Sequence, residues 1–362
     1  MLNTFKLRNI YLANPPMLLL VKLNKQLNVI LSSESVGQFA QLSASSLSGL
    51  QGKKLVLLRR GMEADPIGGW KDEGIPLQYF PLKDGGERRD VAALDSSVIQ
   101  LAEAEDGSVY AAKAAIAFNV GGTKNSVVVG PNLFYLGEDD INLILGLLEK
   151  PVPKDLLLAD NRLAMRMIRV VLERALAYEV SAGLRGGLLL LDGSFRASAF
   201  EPRGRSLFDI VEACGDARSY VAGFSKRTSL RPLQKVQGRF YDEGVCGAYV
   251  EVTGIVKLMV PDFICRSFMA RLTQDGVPFR VDLGPEEDPD AVLSATVSSD
   301  VLVRGYPESL RAAHFLSVFS EAEEAIVKSQ LTKKARVTIL PSDSLRRAVL
   351  GPLNISGRRG VS

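Results

Sequence analysis

Gly186-Gly187-Leu188-Leu189-Leu190-Leu191-Asp192-Gly193-Ser194 is the stretch from which the fold is read. Consecutive leucines leave no polar face, so they predict a strand buried on both sides, as in the centre of a parallel sheet rather than at its edge. Gly186-Gly187 separates this run from what precedes it, and Asp192-Gly193-Ser194 turns the chain after it. Upstream, residues from about Lys154 to Val180 carry helical periodicity. Further upstream stands a second apolar run, Val91 to Leu94, which also ends in an aspartate and small hydroxyl residues, Asp95-Ser96-Ser97.

Working outward, Val109 to Val120 and Ser126 to Leu136 follow that earlier run, divided by the turn signals Asp106-Gly107 and Gly121-Gly122. The three segments predict an antiparallel meander. Downstream of the leucines come a helix near Ser206 to Cys214 and a strand over Tyr220 to Phe224. Three strands, helix, strand, helix, strand is the order of an α/β protein with a ribonuclease H-like mixed sheet core. The polar break Asp84-Gly85-Gly86-Glu87-Arg88-Arg89 marks off residues 1–88 as an N-terminal accessory region, the core domain being 89–330 and the basic C-terminal tail 331–362. Within the accessory region the expectations are an apolar stretch at 17–31, a serine-rich connector at 43–48, and strands over Lys54 to Leu58 and near Leu77 to Leu82.

With 362 residues, 46% of them apolar and 23% charged, the chain can bury one large core and an accessory piece. Apolar stretches such as Met17 to Val21 fall far short of the roughly 20 residues that span a bilayer, and Pro15-Pro16 interrupts any leader-like segment. A cytoplasmic protein without a membrane partner is therefore expected. Cys214, Cys246 and Cys265 are widely spaced, which excludes a Cys-x-x-Cys zinc site and reads as buried reduced thiols. No Gly-x-x-x-x-Gly-Lys-Ser/Thr motif is present, so any ATP-driven unwinding must come from a partner. The net charge of +3 says little, but its distribution is uneven. Arg218, Lys226, Arg227, Arg231, Lys235 and Arg239 are set against Asp216 alone. From Leu331 onward, Lys333, Lys334, Arg336, Arg346, Arg347, Arg358 and Arg359 are set against Asp343. Such stretches can neutralise phosphates.

In this topology the first and fourth core strands are parallel neighbours, which makes Asp95 and Asp192 neighbours at their C-terminal ends. Two carboxylates held that close repel unless a divalent cation joins them, and hard oxygen ligands favour manganese or magnesium. Such a site can align an attacking water and stabilise a leaving oxygen in phosphodiester cleavage. A third acid should come from the preceding helix, where Glu173 and Glu179 compete. Asp192 stands about 16 Å up its strand from Gly187. The antiparallel helix reaches that height about ten residues before its end, which favours Glu173. The apolar stripe Ala164, Ile168, Val171, Ala175 continues instead into Glu179, leaving Glu173 among Arg162, Arg166 and Arg169. Height takes precedence, because a ligand at the rim need not lie on the buried stripe, whereas a carboxylate at the wrong level cannot reach.

The sole histidine, His314, lies in Gly305-Tyr306-Pro307-Glu308-Ser309-Leu310-Arg311-Ala312-Ala313-His314. Pro307 and Ser309 mark a helix start. An apolar stripe through Ala312, Phe315, Leu316, Phe319 and Ile326 leaves His314 on the opposite face, as a metal ligand or proton-transfer group. Tyr306, just before the helix, could orient a phosphate or a water.

Val-Ala-Ala-Leu-Asp-Ser-Ser at 91–97, Leu-Leu-Leu-Leu-Asp-Gly-Ser at 188–194, Gly-Phe-Ser-Lys-Arg at 223–227 and Gly-Tyr-Pro through His314 together resemble the NurA family of archaeal and bacterial nucleases, over roughly residues 90–328. The resemblance implies a manganese-dependent deoxyribonuclease, with magnesium as the alternative ion. It implies 5′→3′ exonuclease and single-strand endonuclease activity on single-stranded DNA and duplex ends. The enzyme would work as a homodimer with a HerA-type hexameric ATPase in end resection and double-strand break repair. Residues 89–330 would then be the nuclease domain. The family's site of three acids, a tyrosine and a histidine maps onto Asp95, Glu173, Asp192, Tyr306 and His314, and the acids and His314 are the implied metal ligands. Lys226 and Arg227 are the implied DNA contacts. Two rival readings are a non-catalytic DNA-binding clamp, which would not need the full acid set, and another ribonuclease H-like endonuclease such as a junction resolvase.

Overall fold

The computed structural model describes residues 34–50, 54–57, 77–83, 85–226, 230–260 and 263–338. The expected apolar stretch at 17–31, Arg227 and the tail beyond Thr338 lie outside the described residues. The strands are β1 Lys54–Leu57, β2 Phe80–Pro81, β3 Val91–Ala104, β4 Gly107–Val120, β5 Thr123–Gly137, β6 Leu188–Asp192, β7 Tyr220–Ser225, β8 Ala248–Glu251, β9 Arg266–Arg271, β10 Phe279–Leu283, β11 Leu302–Val303, β12 Tyr306–Pro307 and β13 Arg336–Thr338. The helices are α1 Glu34–Ser46, α2 Ile141–Leu145, α3 Lys154–Ala159, α4 Asn161–Gly183, α5 Leu207–Asp216, α6 Arg231–Asp242, α7 Thr253–Met259, α8 Pro289–Ser299, α9 Glu308–Ser317 and α10 Glu321–Lys334.

Among the described residues, 11 strands form one mixed sheet. Its centre runs β5-β4-β3-β6-β7, with β3, β4 and β5 antiparallel and β3, β6 and β7 parallel. That is the ribonuclease H-like order. Antiparallel β10, β9, β8 and β2 extend the sheet beyond β7. The segment before the polar break joins the same sheet: β1 pairs with the far end of β3 and with β13, and β2 pairs with β8.

The leucines of β6 are buried on both sides. Leu189 and Leu191 face a core with Met167, Ile168 and Val171 of α4 and with Leu207 and Ile210 of α5, while Leu188 and Leu190 face Leu310 and Ala313 of α9 and Val292 of α8. Fully burying a leucine contributes about 1.5–3 kcal/mol, so this short strand ties both helical layers to the sheet. The Ser206 side chain caps α5 with Asp209 in a capping box.

Four expectations are corrected. The serine-rich stretch at 43–48 is not a connector, since Ser43, Ser45 and Ser46 lie in α1 and Ser43 and Ser46 are buried. The helical stretch from Lys154 is two helices, α3 and α4, because Asp160 is extended and its carboxylate accepts the Arg162 and Leu163 backbone N–H groups as the cap of α4. The first core strand does not end at Leu94. It continues through Asp95, Ser96 and Ser97 to Ala104, held by β4 along its whole length, and only its pairing with β6 ends at Leu94. Cys246 is exposed, unlike the buried Cys214 and Cys265. No described helix is long and apolar enough to cross a membrane.

The fully buried Asp282 on β10 accepts hydrogen bonds from Arg280 at 2.8 Å on each oxygen, from Ser267 Oγ at 2.6 Å and from the Phe195 backbone N–H at 2.9 Å. Asp282→Ala is expected to lower the free energy of unfolding by about 3–5 kcal/mol, since it leaves the Arg280 charge buried without a partner. Replacing both as Arg280→Met/Asp282→Leu should cost much less, and urea unfolding followed by circular dichroism distinguishes the two.

Candidate metal centre

The pairing of Leu94 with Leu191 puts Asp95 and Asp192 at one level on neighbouring parallel strands. Side chains alternate along a strand. Val91, Ala93 and Asp95 therefore share one face of the sheet with Leu188, Leu190 and Asp192, and α9 packs on that face. His314 comes from α9, its Nδ1 lying 2.7 Å from Asp95 Oδ2 and 3.6 Å from Asp192 Oδ2. Ligand atoms of Asp95, Asp192 and His314 all lie within 4.8 Å of one another.

Each carboxylate is held by further groups. Asp95 Oδ1 accepts the Ser96 backbone N–H at 2.8 Å, and Asp95 Oδ2 accepts the Ser317 hydroxyl at 3.0 Å. Asp192 Oδ2 meets the Lys226 ammonium at 2.6 Å, and Asp192 Oδ1 accepts the Tyr306 hydroxyl at 3.1 Å. Burial, then the charge and hydrogen bond of Asp192, push the Tyr306 phenol far above its ordinary range, so it stays a donor. Its ring packs edge-on against Phe224 and Phe279, which fixes where the hydroxyl points.

The loop after Asp192 is set by two glycines. Gly193 has φ +126°, which side chains rarely adopt. Gly223 on β7 admits the Phe195 ring so closely that a Cβ there would lie 2.4 Å from it. Asp282 then clamps the Phe195 backbone from below.

Glu173 approaches from the other side of the sheet. Ser96 points to the face opposite Asp95, and its hydroxyl donates to Glu173 Oε1 at 2.8 Å. Arg169 lies 3.4 Å from the same oxygen. Burial pushes the Glu173 carboxyl up, while Arg169 and Ser96 pull it down. Glu173 lines a cavity of about 220 Å³ with Leu191, Asp192 and Gly193, but it is not in the cluster of Asp95, Asp192 and His314. Glu179 pairs with Arg205 at 3.8 Å instead. Of the two residues in the Ser-Lys-Arg segment, Lys226 is at the site and Arg227 lies outside the described residues.

The stripe expected for α9 is corrected. Leu310, Ala313 and Ser317 are its buried line, and Phe315 is 86% exposed. His314 still points away from the core, toward the two aspartates. Ser317 and Asp282 escaped the sequence reading. Ser317 lies three residues beyond His314 and so one turn along the same helix, a spacing that could have flagged it. Asp282 gives no such signal, since its partners Ser267 and Phe195 come from distant segments.

Two carboxylates and an imidazole converging on one point fit a divalent cation with oxygen and nitrogen ligands. The spacings of 2.7 and 3.6 Å bracket the ligand separation of about 3 Å expected around an ion with bonds of about 2.1 Å. Lys226 already places a positive charge on Asp192.

A scan against protein-family models gives no match, and a search of curated proteins gives none. Among solved structures, the chain is similar to the NurA nuclease from Sulfolobus solfataricus, with 15% identity, 71% of this chain and 89% of that chain covered, and a TM-score of 0.46. It is similar to NurA bound to dAMP and manganese at 12% identity, 73% and 91% coverage and a TM-score of 0.42. Endonuclease V from Bacillus subtilis is similar at 13% identity, 70% and 88% coverage and a TM-score of 0.33.

A bound ion should stabilise the fold by linkage, about 2.7 kcal/mol at one hundred times its dissociation constant. Manganese added to the chelator-treated protein is expected to raise the thermal midpoint, and Asp192→Asn to abolish most of that rise. An equal rise in Asp95→Asn/Asp192→Asn would place the ion elsewhere.

Proposed function

We propose that this chain is a divalent-metal-dependent DNA nuclease of the NurA type. The observation that carries the reading is the convergence of Asp95, Asp192 and His314 at the end of β6, with Tyr306 and Lys226 on the same carboxylate. The ordered segments at 91–97, 188–194, 223–227 and 305–314 support the same reading. A cation held by Asp95, Asp192 and His314 would supply positive charge for an attacking water and for the leaving oxygen of a phosphodiester.

The residues of the chain divide the remaining work. Asp95 and Asp192 would hold the ion, and Ser317 and the Ser96 backbone N–H fix the Asp95 carboxylate. Tyr306, kept protonated by burial, donates to Asp192 and stands ready to donate to a phosphate oxygen. Lys226, whose side chain is part exposed, can shift from Asp192 to the incoming phosphate once a metal neutralises that carboxylate. His314 is half exposed and turns Nδ1 to Asp95 and Asp192, the place of the third ligand of a divalent ion. We assign Glu173, beside Asp192 in the adjoining cavity, as the third acid, completing the set with Ser96 as its link to Asp95.

The finer terms of the proposal are manganese as the working ion with magnesium as substitute, DNA single strands and duplex ends as substrate, a homodimer as the working form, and a HerA-type hexameric ATPase as partner in end resection. End-labelled single-stranded and blunt duplex DNA, incubated with manganese, magnesium or EDTA, test the core of it. Degradation that needs the metal and falls to background in Asp192→Ala is expected. His314→Ala, which removes one ligand of the ion, should lose most of the metal-dependent degradation as well. Salt-sensitive binding without cleavage under any metal, with the ATPase present as well, would sink the hydrolase reading in favour of a clamp.

A further inference from the structure

Arg162, Arg166 and Arg169 stand at successive turns on one side of α4, and all three line a cleft of about 650 Å³ with Asp95, Ser96, Ser97, Asp192 and His314. Arg166 and Arg169 also line the smaller cavity beside Glu173, where Arg196 from the loop after Asp192 joins them. Arg169 meets Glu173, but the side chains of Arg162, Arg166 and Arg196 have no carboxylate partner among the described residues. Guanidinium groups gathered in this way repel. Desolvation in the cleft, then the Arg196 and Arg169 charges, lower the Arg166 pKa from its ordinary value. Such crowding is unfavourable in the free protein and is relieved by an anion.

The spacing identifies the anion. From Arg162 to Arg169 the helix rises about 10 Å. Steps of about 6 Å and about 4.5 Å between the three arginines let each guanidinium reach a different phosphate of one backbone. One row on one helix serves one backbone, whereas a duplex presents two. Arginine forks suit phosphate oxygens, and Met165 and Val98 in the same cleft offer apolar surface to bases.

We propose that Arg162, Arg166 and Arg169, with Arg196, form a clamp for the phosphates of a single polynucleotide strand that leads to the Asp95–Asp192–His314 centre. This rests on the nuclease reading for its substrate class, but the clamp is a separate binding element. It positions the strand and takes no part in bond breaking.

The test measures binding in EDTA, where nothing is cleaved, by fluorescence anisotropy of a labelled single-stranded oligothymidylate over a series of salt concentrations. For Arg162→Ala/Arg166→Ala the slope of log affinity against log salt is expected to fall by about 1.4, at roughly 0.7 per phosphate contact. Arg162→Lys/Arg166→Lys should keep most of the slope, and Arg185→Ala, at the opposite end of the sheet, should keep all of it. A blunt duplex of equal length should lose less than the single strand. An unchanged slope in the alanine double variant, or wild-type binding to the single strand that does not respond to salt, would overturn the clamp. Hydrolysis of bis(p-nitrophenyl) phosphate with manganese reads the metal centre without a polynucleotide strand. Absence of that hydrolysis in the wild-type protein would sink the nuclease reading without touching the clamp, and Arg185→Ala, outside both, is expected to retain it.

Discussion

Two carboxylates at the same level of adjacent parallel strands are the constraint around which this molecule is arranged. Neighbouring strands lie about 4.8 Å apart, and two unit charges at about 5 Å in an effective dielectric of 20 repel by roughly 3 kcal/mol. That is a sizeable fraction of the stability of an ordinary domain, so the surroundings must answer it. They do so from several elements: Lys226 at the end of β7, His314 and Ser317 on α9, and Tyr306 ahead of that helix. The in-register pairing of the leucines with Val91, Ala92, Ala93 and Leu94 keeps the two aspartates at one level, and since leucines face both layers, it is Asp192 that a slip of one residue would turn to the α4 face.

Strand length shapes the space in front of these acids. β6 stops at Asp192 and β3 does not, so among the described residues the edge of β3 from Asp95 to Leu101 lacks a strand partner on that side until β1 meets Ala102 and Glu103. The two faces of the sheet communicate through that opening. Pleating sends Asp95 to the α9 face and Ser96 to the α4 face, and so His314 and Glu173 reach neighbouring backbone positions from opposite layers. This parity accounts for the grouping of Asp95, Asp192 and His314 without Glu173.

The readable part of this arrangement was the part governed by local pattern. Consecutive leucines between a glycine pair and Asp-Gly-Ser could only be a buried strand, and the order of elements around them placed Asp95 beside Asp192. The length of β3 was hidden because Ser96 and Ser97 read as a turn, and only pairing with β4, a non-local interaction, keeps them extended. On α9 the exposed Phe315 was mistaken for core because large apolar residues set the apparent stripe, whereas Ala313 and Ser317 are what fit against β3 and β4. The buried Arg280–Asp282 pair was not legible, since nothing in their neighbourhood names the distant Ser267 and Phe195 that complete it.

The charges of the cleft are segregated in a way that the fold makes almost unavoidable. The acids sit where β3 and β6 end their pairing, on the face covered by α9. The arginines belong to α4 and to the loop after Asp192, on the other face, where Arg169 pairs with Glu173 of the same helix. Had the arginines been able to reach Asp95 and Asp192, they would have neutralised them and filled the place of a cation. Lining the same cleft without pairing to either aspartate, the arginines leave the carboxylates to Lys226 and His314, both part exposed. The Asp282 anchor completes the separation: by fixing Phe195 against Gly223 it holds Arg196 at the rim of the small cavity and keeps that loop from folding back over Asp192.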